Sequence, residues 1–319
     1  MTTVDGGTAL TDLITLQGVS AEEINAVHAA ALSMKREPAA HAQRLGGLAA
    51  VMLFEKPSLR TRVSFELGLQ RIGAAVMYFD HSQQRIGARE SVLDYAKNLE
   101  RFCNCLIARV YDHATLEALA EHASVPVVNA LSDVAHPCQA LADTLTIREH
   151  FGRGGCDDAL AGLRVSFVGD GNNVCQSLML ACVALGAEVC VVTPAGYGPS
   201  TSYISAAEGG PGGVVMTSDP DAVRGSHVVY TDTWVSMGQD AEAVERRRVF
   251  EPYRVTAAMM SLAREGIDRG PIFMHCLPAC RGDEVDACVI DGPLSVVYDQ
   301  AENRMHAQNA LVARLLQRV

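Results

Sequence analysis

The sequence predicts an α/β protein: two doubly wound parallel-sheet domains linked by helices, with a C-terminal helix packing back on the first domain. Three observations carry this expectation. Short, continuous apolar runs alternate with segments of helical period along almost the whole chain, the pattern of parallel sheets covered on both faces. The alternation is interrupted by GRGGCDD at residues 152–158, a glycine-rich boundary signal. At 319 residues the chain is long enough for two cores of ordinary size. The expected domains are residues 1–150 and 151–300, with residues 301–319 as the returning helix.

Residues 1–46 are mostly helical in pattern, and Ser20 with Glu23 offers a capping-box start. LAAVMLF, from Leu48, reads as a buried strand. Pro57 then blocks helix continuation, and Phe65, Leu69 and Ile72 repeat at helical spacing behind Ser58 as N-cap. AAVMYF is a second strand, residues 80–89 form a polar loop, and Ser91 with Asp94 caps the next helix. CLIARV places Arg109 at a strand end, HATLEALAEHA is helical, and VPVVNAL is a strand. The following helix begins at His136–Pro137, with proline where its missing N–H costs nothing. The second domain repeats the alternation through LRVSFVGDG, VCQSLMLACVALG, AEVCVVTP, a helix near residues 202–208, GVVMTS, HVVYTDTW and PIFMHCLPA. From Asp299 the chain reads as one amphipathic helix packing through Ala310, Val312, Leu315 and Leu316.

A composition of 49% hydrophobic and 20% charged residues excludes a disordered chain. The net charge of −11 argues against sequence-independent nucleic-acid binding, although clustered arginines can still hold a small anion in a cleft. No apolar run approaches the ~18 residues of a membrane span, and the start MTTVDGGTAL lacks the features of a signal peptide, so a cytoplasmic protein with no membrane partner is expected. The ten cysteines are scattered, with no CxxC pair, and read as small buried hydrophobes rather than disulfides or a zinc site.

The helix start after Pro57 is the first chemical feature. Its free N–H groups favour an anion, and the Thr61 hydroxyl with the guanidinium groups of Arg60 and Arg62 completes a cradle for a phosphate-like group. A capped helix with two solvated arginines fits the same spacing. Ser58, Arg109 and His136 all fall at or just after strand ends, where ligands of open parallel sheets sit. His136 and Gln139 at their helix start suit polarisation of a carbonyl. Gly169-Asp170-Gly171 lacks the third glycine of a dinucleotide fingerprint, and the next strand ends in Thr193-Pro194 rather than an acid. A loop presenting Asn173 to a small polar ligand fits at least as well. Asp232, in a loop with Ser236, Met237 and Gly238, offers a carboxylate for a substrate cation or simply turn chemistry. Cys276, in HCLP after another strand, has no evident paired base.

Together the motifs SLRTR, HPCQALAD, DTWVSMG, MHCLP and AENRMH, in this order over nearly the whole chain, resemble the aspartate/ornithine carbamoyltransferase family, and DxWxSMG with HCLP resembles its ornithine-specific members. The resemblance implies a carbamoyl phosphate-binding first domain and an ornithine-binding second one. Ser58, Leu59, Arg60 and Thr61 match the phosphate loop. Arg109, His136 and Gln139 match groups holding the phosphate and the carbamoyl oxygen, and Arg304 a further contact from the final helix. Asn173, Asp232, Ser236 and Met237 match the ornithine site. Cys276 and Leu277 match the HCLP pair between the substrates and also contact carbamoyl phosphate. The catalytic set implied is Arg60, Arg109, His136, Asp232 and Cys276, in a homotrimer using no metal and no organic cofactor.

Two positions depart from the family pattern. Leu59 stands where many ornithine enzymes have threonine, and Arg85, beside Gln83 and Gln84, where a glutamine often reaches a neighbouring subunit's carbamoyl phosphate. The competing readings are transfer to another amine (putrescine, an acylated ornithine or aspartate), a nucleotide-dependent oxidoreductase on the second sheet, and a non-catalytic trimer.

Overall fold

The computed structural model of the chain describes residues 10–152, 160–235 and 240–317. These residues divide into two compact units, 10–142 with 302–317, and the described residues between 143 and 301. Most of the expected GRGGCDD boundary lies outside the described residues. The division between the units instead falls within a helix.

In the first unit, α1 (Ala21–Arg36) starts where the Ser20 hydroxyl accepts the Glu23 N–H, as the capping signal predicts. The Glu23 carboxylate does not close the box; it accepts from Arg314 at 2.9 Å. A short α2 (Pro38–His41) leads to β1 (Ala49–Phe54). There follow α3 (Leu59–Arg71), β2 (Ala75–Asp80), α4 (Val92–Leu99), β3 (Cys105–Arg109), α5 (His113–His122), β4 (Val127–Leu131) and α6 (Pro137–Phe151). The strands form one sheet in the order β2-β1-β3-β4, and every pairing is parallel. One departure from the helical reading of residues 1–46 is Leu13, which bridges Val128 beside β4. The core joins Leu53 of β1, Leu106 and Ala108 of β3, and Leu116 and Leu119 of α5.

β2 forms as the expected second strand. It is the sheet edge, and Met77 and Phe79 are exposed. Leu59, Val63 and Leu67 of α3 are exposed as well.

In the second unit, β5 (Arg164–Val168), α7 (Asn173–Ala184), β6 (Glu188–Val192), α8 (Thr201–Glu208), β7 (Gly213–Thr217) and β8 (Val228–Thr231) alternate as expected. Then come α9 (Ala243–Phe250), α10 (Ala257–Ala263), β9 (Ile272–His275) and α11 (Ala287–Ile290). The sheet order is β7-β6-β5-β8-β9, again all parallel. Val229, Phe273, Val285 and Met260 are among its core residues.

The last helix, α12, begins at Val297, slightly earlier than expected, and ends at Leu315. Its residues from Glu302 onward belong to the first unit. Ala310, Val312 and Leu315 are buried, as the amphipathic pattern requires. α12 lies so close to α3 that a Cβ on Gly68 would stand 2.6 Å from Asn309 Oδ1 and 2.8 Å from Met305 Cγ. Glycine is what lets these helices approach. No helix among the described residues is long and apolar enough to cross a membrane.

Candidate active site

Each sheet reverses its winding direction once, between β1 and β3 in the first unit and between β5 and β8 in the second. Ligands of such sheets sit at the C-terminal strand ends flanking that reversal. In the first unit, Arg109 pairs in register with Phe54, and Ser58 follows a few residues later. The Ser58 side chain caps α3 by accepting the Thr61 N–H at 3.3 Å and donates to Thr61 Oγ1 at 3.0 Å. Arg304 donates to the same Oγ1 at 2.8 Å. Thr61 Oγ1 thus accepts twice, and its own hydrogen is left to donate. The first-turn N–H groups of Leu59 and Arg60 have no intrahelical acceptor, as at any helix start. The Leu59 side chain is 75% exposed, so at this position only the backbone serves the cradle.

Arg62 does not join this group. Its Nε donates to Glu66 at 2.9 Å and its guanidinium lies 4.0 Å from the Tyr78 ring centre.

Arg109, His136, Gln139 and Arg304 are all buried. Burial, followed by the charges of Arg304 and Arg109, lowers the His136 pKa well below its usual 6.5. The ring is therefore neutral near pH 7, with one N–H to donate. Gln139 follows one turn later, its N–H donating to the His136 carbonyl at 3.1 Å. Arg85 and Lys56 both lie 4.5 Å from the Tyr111 ring centre. The buried Glu55 carboxylate holds this arrangement by accepting the N–H groups of Ile86 and Tyr111, at 2.9 Å each. Burial, then Arg109, lowers the Lys56 pKa, and Arg85 adds to the effect.

In the second unit, Asp232 directly follows β8. Its Oδ1 accepts the Cys276 thiol at 2.9 Å and the Thr233 N–H at 2.7 Å. Its Oδ2 accepts from the Asn172 amide at 2.8 Å. Asn172 also caps α7 through Val174 and Cys175, leaving Asn173 as the first helical residue. Sequence reasoning singled out Asn173 in this loop for a ligand; the bond to Asp232 comes from its neighbour Asn172, to which it assigned no role. Ser236 and Met237 lie outside the described residues.

Arg246, missed by the sequence reading, braces this loop. Only 4% exposed, it donates to the Trp234 carbonyl and to Asp170. Burial pushes the Asp170 carboxyl up to about 6 despite Arg246, and the Asp232 charge adds to the rise. Gly171 serves packing: a Cβ there would meet the Pro199 nitrogen at 2.3 Å.

Asp232, His275 and Cys276 each bring one potential ligand atom within 4.8 Å of the others. The set nevertheless fits a metal poorly. His275 Nδ1 accepts the Leu277 N–H at 2.8 Å and Nε2 faces Glu284 at 3.3 Å, so both ring nitrogens are engaged. Leu277 itself has φ 57°, a left-handed conformation costing a non-glycine residue about 1–2 kcal/mol.

The chain belongs to the aspartate/ornithine carbamoyltransferase family: residues 11–149 match its carbamoyl-P binding domain and residues 161–315 its Asp/Orn binding domain. Within that family the chain is similar to the ornithine carbamoyltransferase of Shewanella oneidensis, at 47% identity over 89% of this chain and 92% of that one. It is similar to that of Thermus thermophilus at 46% identity over 98% and 99% of the two chains. The solved ornithine carbamoyltransferase of Pyrococcus furiosus matches with a TM-score of 0.89 and 44% identity, over 96% of this chain and 98% of that one.

Proposed function

We propose that this chain transfers the carbamoyl group of carbamoyl phosphate to the side-chain amine of L-ornithine, giving L-citrulline and phosphate. The observation that carries the reading is the bond from Arg304 to Thr61 at the start of α3. It delivers a cation to a hydroxyl on a helix terminus already suited to an anion. Arg60 lies on the same turn and Arg109 at the adjoining strand end.

In this reading Ser58, Arg60, Thr61, Arg109 and Arg304, with the Leu59 N–H, bind the phosphate and offset its charge. Thr61 and the neutral His136 donate to the oxyanion of the tetrahedral intermediate, and Gln139 orients the carbamoyl group. Asp232, Asn173, Ser236 and Met237 receive ornithine, with Cys276 and Leu277 beside the reacting atoms. The neutral amine attacks the carbamoyl carbon. A C–N bond forms, the C–O bond to phosphate breaks, and phosphate leaves with the electron pair while the amine proton passes to phosphate or solvent. Positioning and electrostatics suffice for these steps.

The exposed Leu59, Val63 and Leu67 of α3, with Met77 and Phe79 of the edge strand β2, support a homotrimer in which other copies cover this face. Nine cysteines described as free thiols support a reducing, cytoplasmic setting. The direct test is product formation with carbamoyl phosphate and a panel of ornithine, putrescine, N-acetylornithine and aspartate. Turnover is expected with ornithine; efficient turnover only with another amine would overturn the substrate assignment.

A further inference from the structure

We infer that Glu284 is a positioning residue for the Cys276–Leu277 turn, acting through the imidazole of His275; this rests on the reading above, in which Cys276 and Leu277 stand beside the reacting atoms. His275 closes β9 and its ring is fully buried. An amide N–H can only donate, so the bond from Leu277 N–H makes Nδ1 an acceptor and places the ring proton on Nε2. That proton points to Glu284 Oε1, 3.3 Å away. The same oxygen accepts the Cys280 N–H. One carboxylate oxygen therefore sets the ring tautomer and ties down the far end of the 276–280 turn.

Leu277 does not hold its left-handed backbone by intrinsic preference, so the bond to His275 Nδ1 constrains it. With Glu284 absent, a proton on Nδ1 becomes accessible, and Nδ1–H would oppose the Leu277 N–H. The turn would then lose the tie that holds it while the Cys276 thiol is aimed at Asp232. The entry to the turn is fixed independently: the His275 N–H donates to Gln300 Oε1 at 3.0 Å, and the Gln300 amide donates to Asp143 and Tyr230. Glu284 Oε2 is buried with no partner among the described residues. Packing gains nothing from such an oxygen, whereas a carboxylate is a stronger acceptor for an imidazole N–H than a neutral group.

The test uses the full-length protein with ¹⁵N-labelled histidine, the His275 signal being assigned by its loss in His275→Asn. Wild type and Glu284→Gln, which keeps an acceptor oxygen, are expected to show the Nε2–H tautomer. Glu284→Ala is expected to show a tautomer mixture and at least a tenfold loss of kcat/KM for ornithine, with Glu284→Gln within threefold of wild type. If Glu284→Ala fails to fold, Glu284→Asp, which withdraws the carboxylate by one methylene, is read by the same criteria. A folded variant lacking the acceptor that keeps the Nε2–H tautomer and wild-type kcat/KM overturns the inference. So does a loss of stability alone, with tautomer and kinetics unmoved. Should wild type make no citrulline, the tautomer measurement still decides the role of Glu284, and the failure belongs to the substrate assignment.

Discussion

Arg304 donates to Thr61 Oγ1 at 2.8 Å although the two residues are 243 positions apart in sequence. Both are buried, so the bond forms where water competes poorly. A charge-assisted bond of this kind contributes about 1.5–3 kcal/mol. Arg304→Ala and the near-isosteric Thr61→Val should therefore each lower kcat/KM for carbamoyl phosphate by roughly ten- to a hundredfold. The double variant should lose less than the product of the two, because the partners share one interaction. Steady-state kinetics on the four proteins check this.

In the proposed reading, in which Asp232 receives ornithine, Asn172 separates local folding from ornithine recognition. Aspartate at this position keeps the cap on α7 but replaces the amide donor to Asp232 with a second negative charge. Asn172→Asp should retain a melting temperature within a few degrees of wild type while KM for ornithine rises about tenfold, a factor worth ~1.4 kcal/mol. Thermal unfolding and initial rates measured side by side decide it.

Asp170 makes stability depend on pH in an unusual direction for a carboxylate. Its pKa is raised from the ordinary 3.8 to about 6, so between these values the native state binds more protons than the unfolded chain. Stability from this group is present below pH ~4 and falls as pH rises to about 6, by an order of 3 kcal/mol. Asp170→Asn should remove this slope, as read from urea midpoints across that interval.

His136 acts oppositely. Its lowered pKa means that the unfolded chain takes up the proton first, so stability falls as pH drops below 6.5. Because the folded imidazole stays neutral well below that value, kcat should show no acid limb near 6.5 arising from His136. A kcat–pH profile that keeps its 6.5 limb in wild type and loses it in His136→Asn would contradict this assignment.

The exposed apolar face of α3 and β2 should be what other copies cover. Leu67→Glu combined with Met77→Asp should leave the monomer folded and reduce the mass measured by light scattering. An unchanged mass would move the contact elsewhere.

Signals that are local in sequence proved legible. Ser20, Ser58 and Ser91 cap their helices as the residue patterns indicate. The strand–helix alternation carried the fold class, because continuous apolar runs suit parallel strands covered on both faces. The exposure of β2 was not legible: AVMYF reads alike whether a helix of its own chain covers it or nothing in that chain does. The double role of Asn172, capping α7 and holding Asp232, was not legible, because a helix cap and a bond across 60 positions leave no mark in local spacing. Arg246 lay beyond sequence reasoning. Its bond to Asp170 spans 76 positions, and an arginine in ERRR looks like a solvated helix face.

The placement of Arg304 also bears on biosynthesis. Residues 302–317 are translated after the entire second unit, yet they belong to the first. On the ribosome, Thr61 must wait for more than half the chain before its arginine is made. A chain stopped just short of α12 would carry every residue of SLRTR and HPCQ while lacking the last cation of the cradle. On the proposed reading, a nascent or prematurely terminated chain would therefore lack the complete phosphate site until the last helix is made.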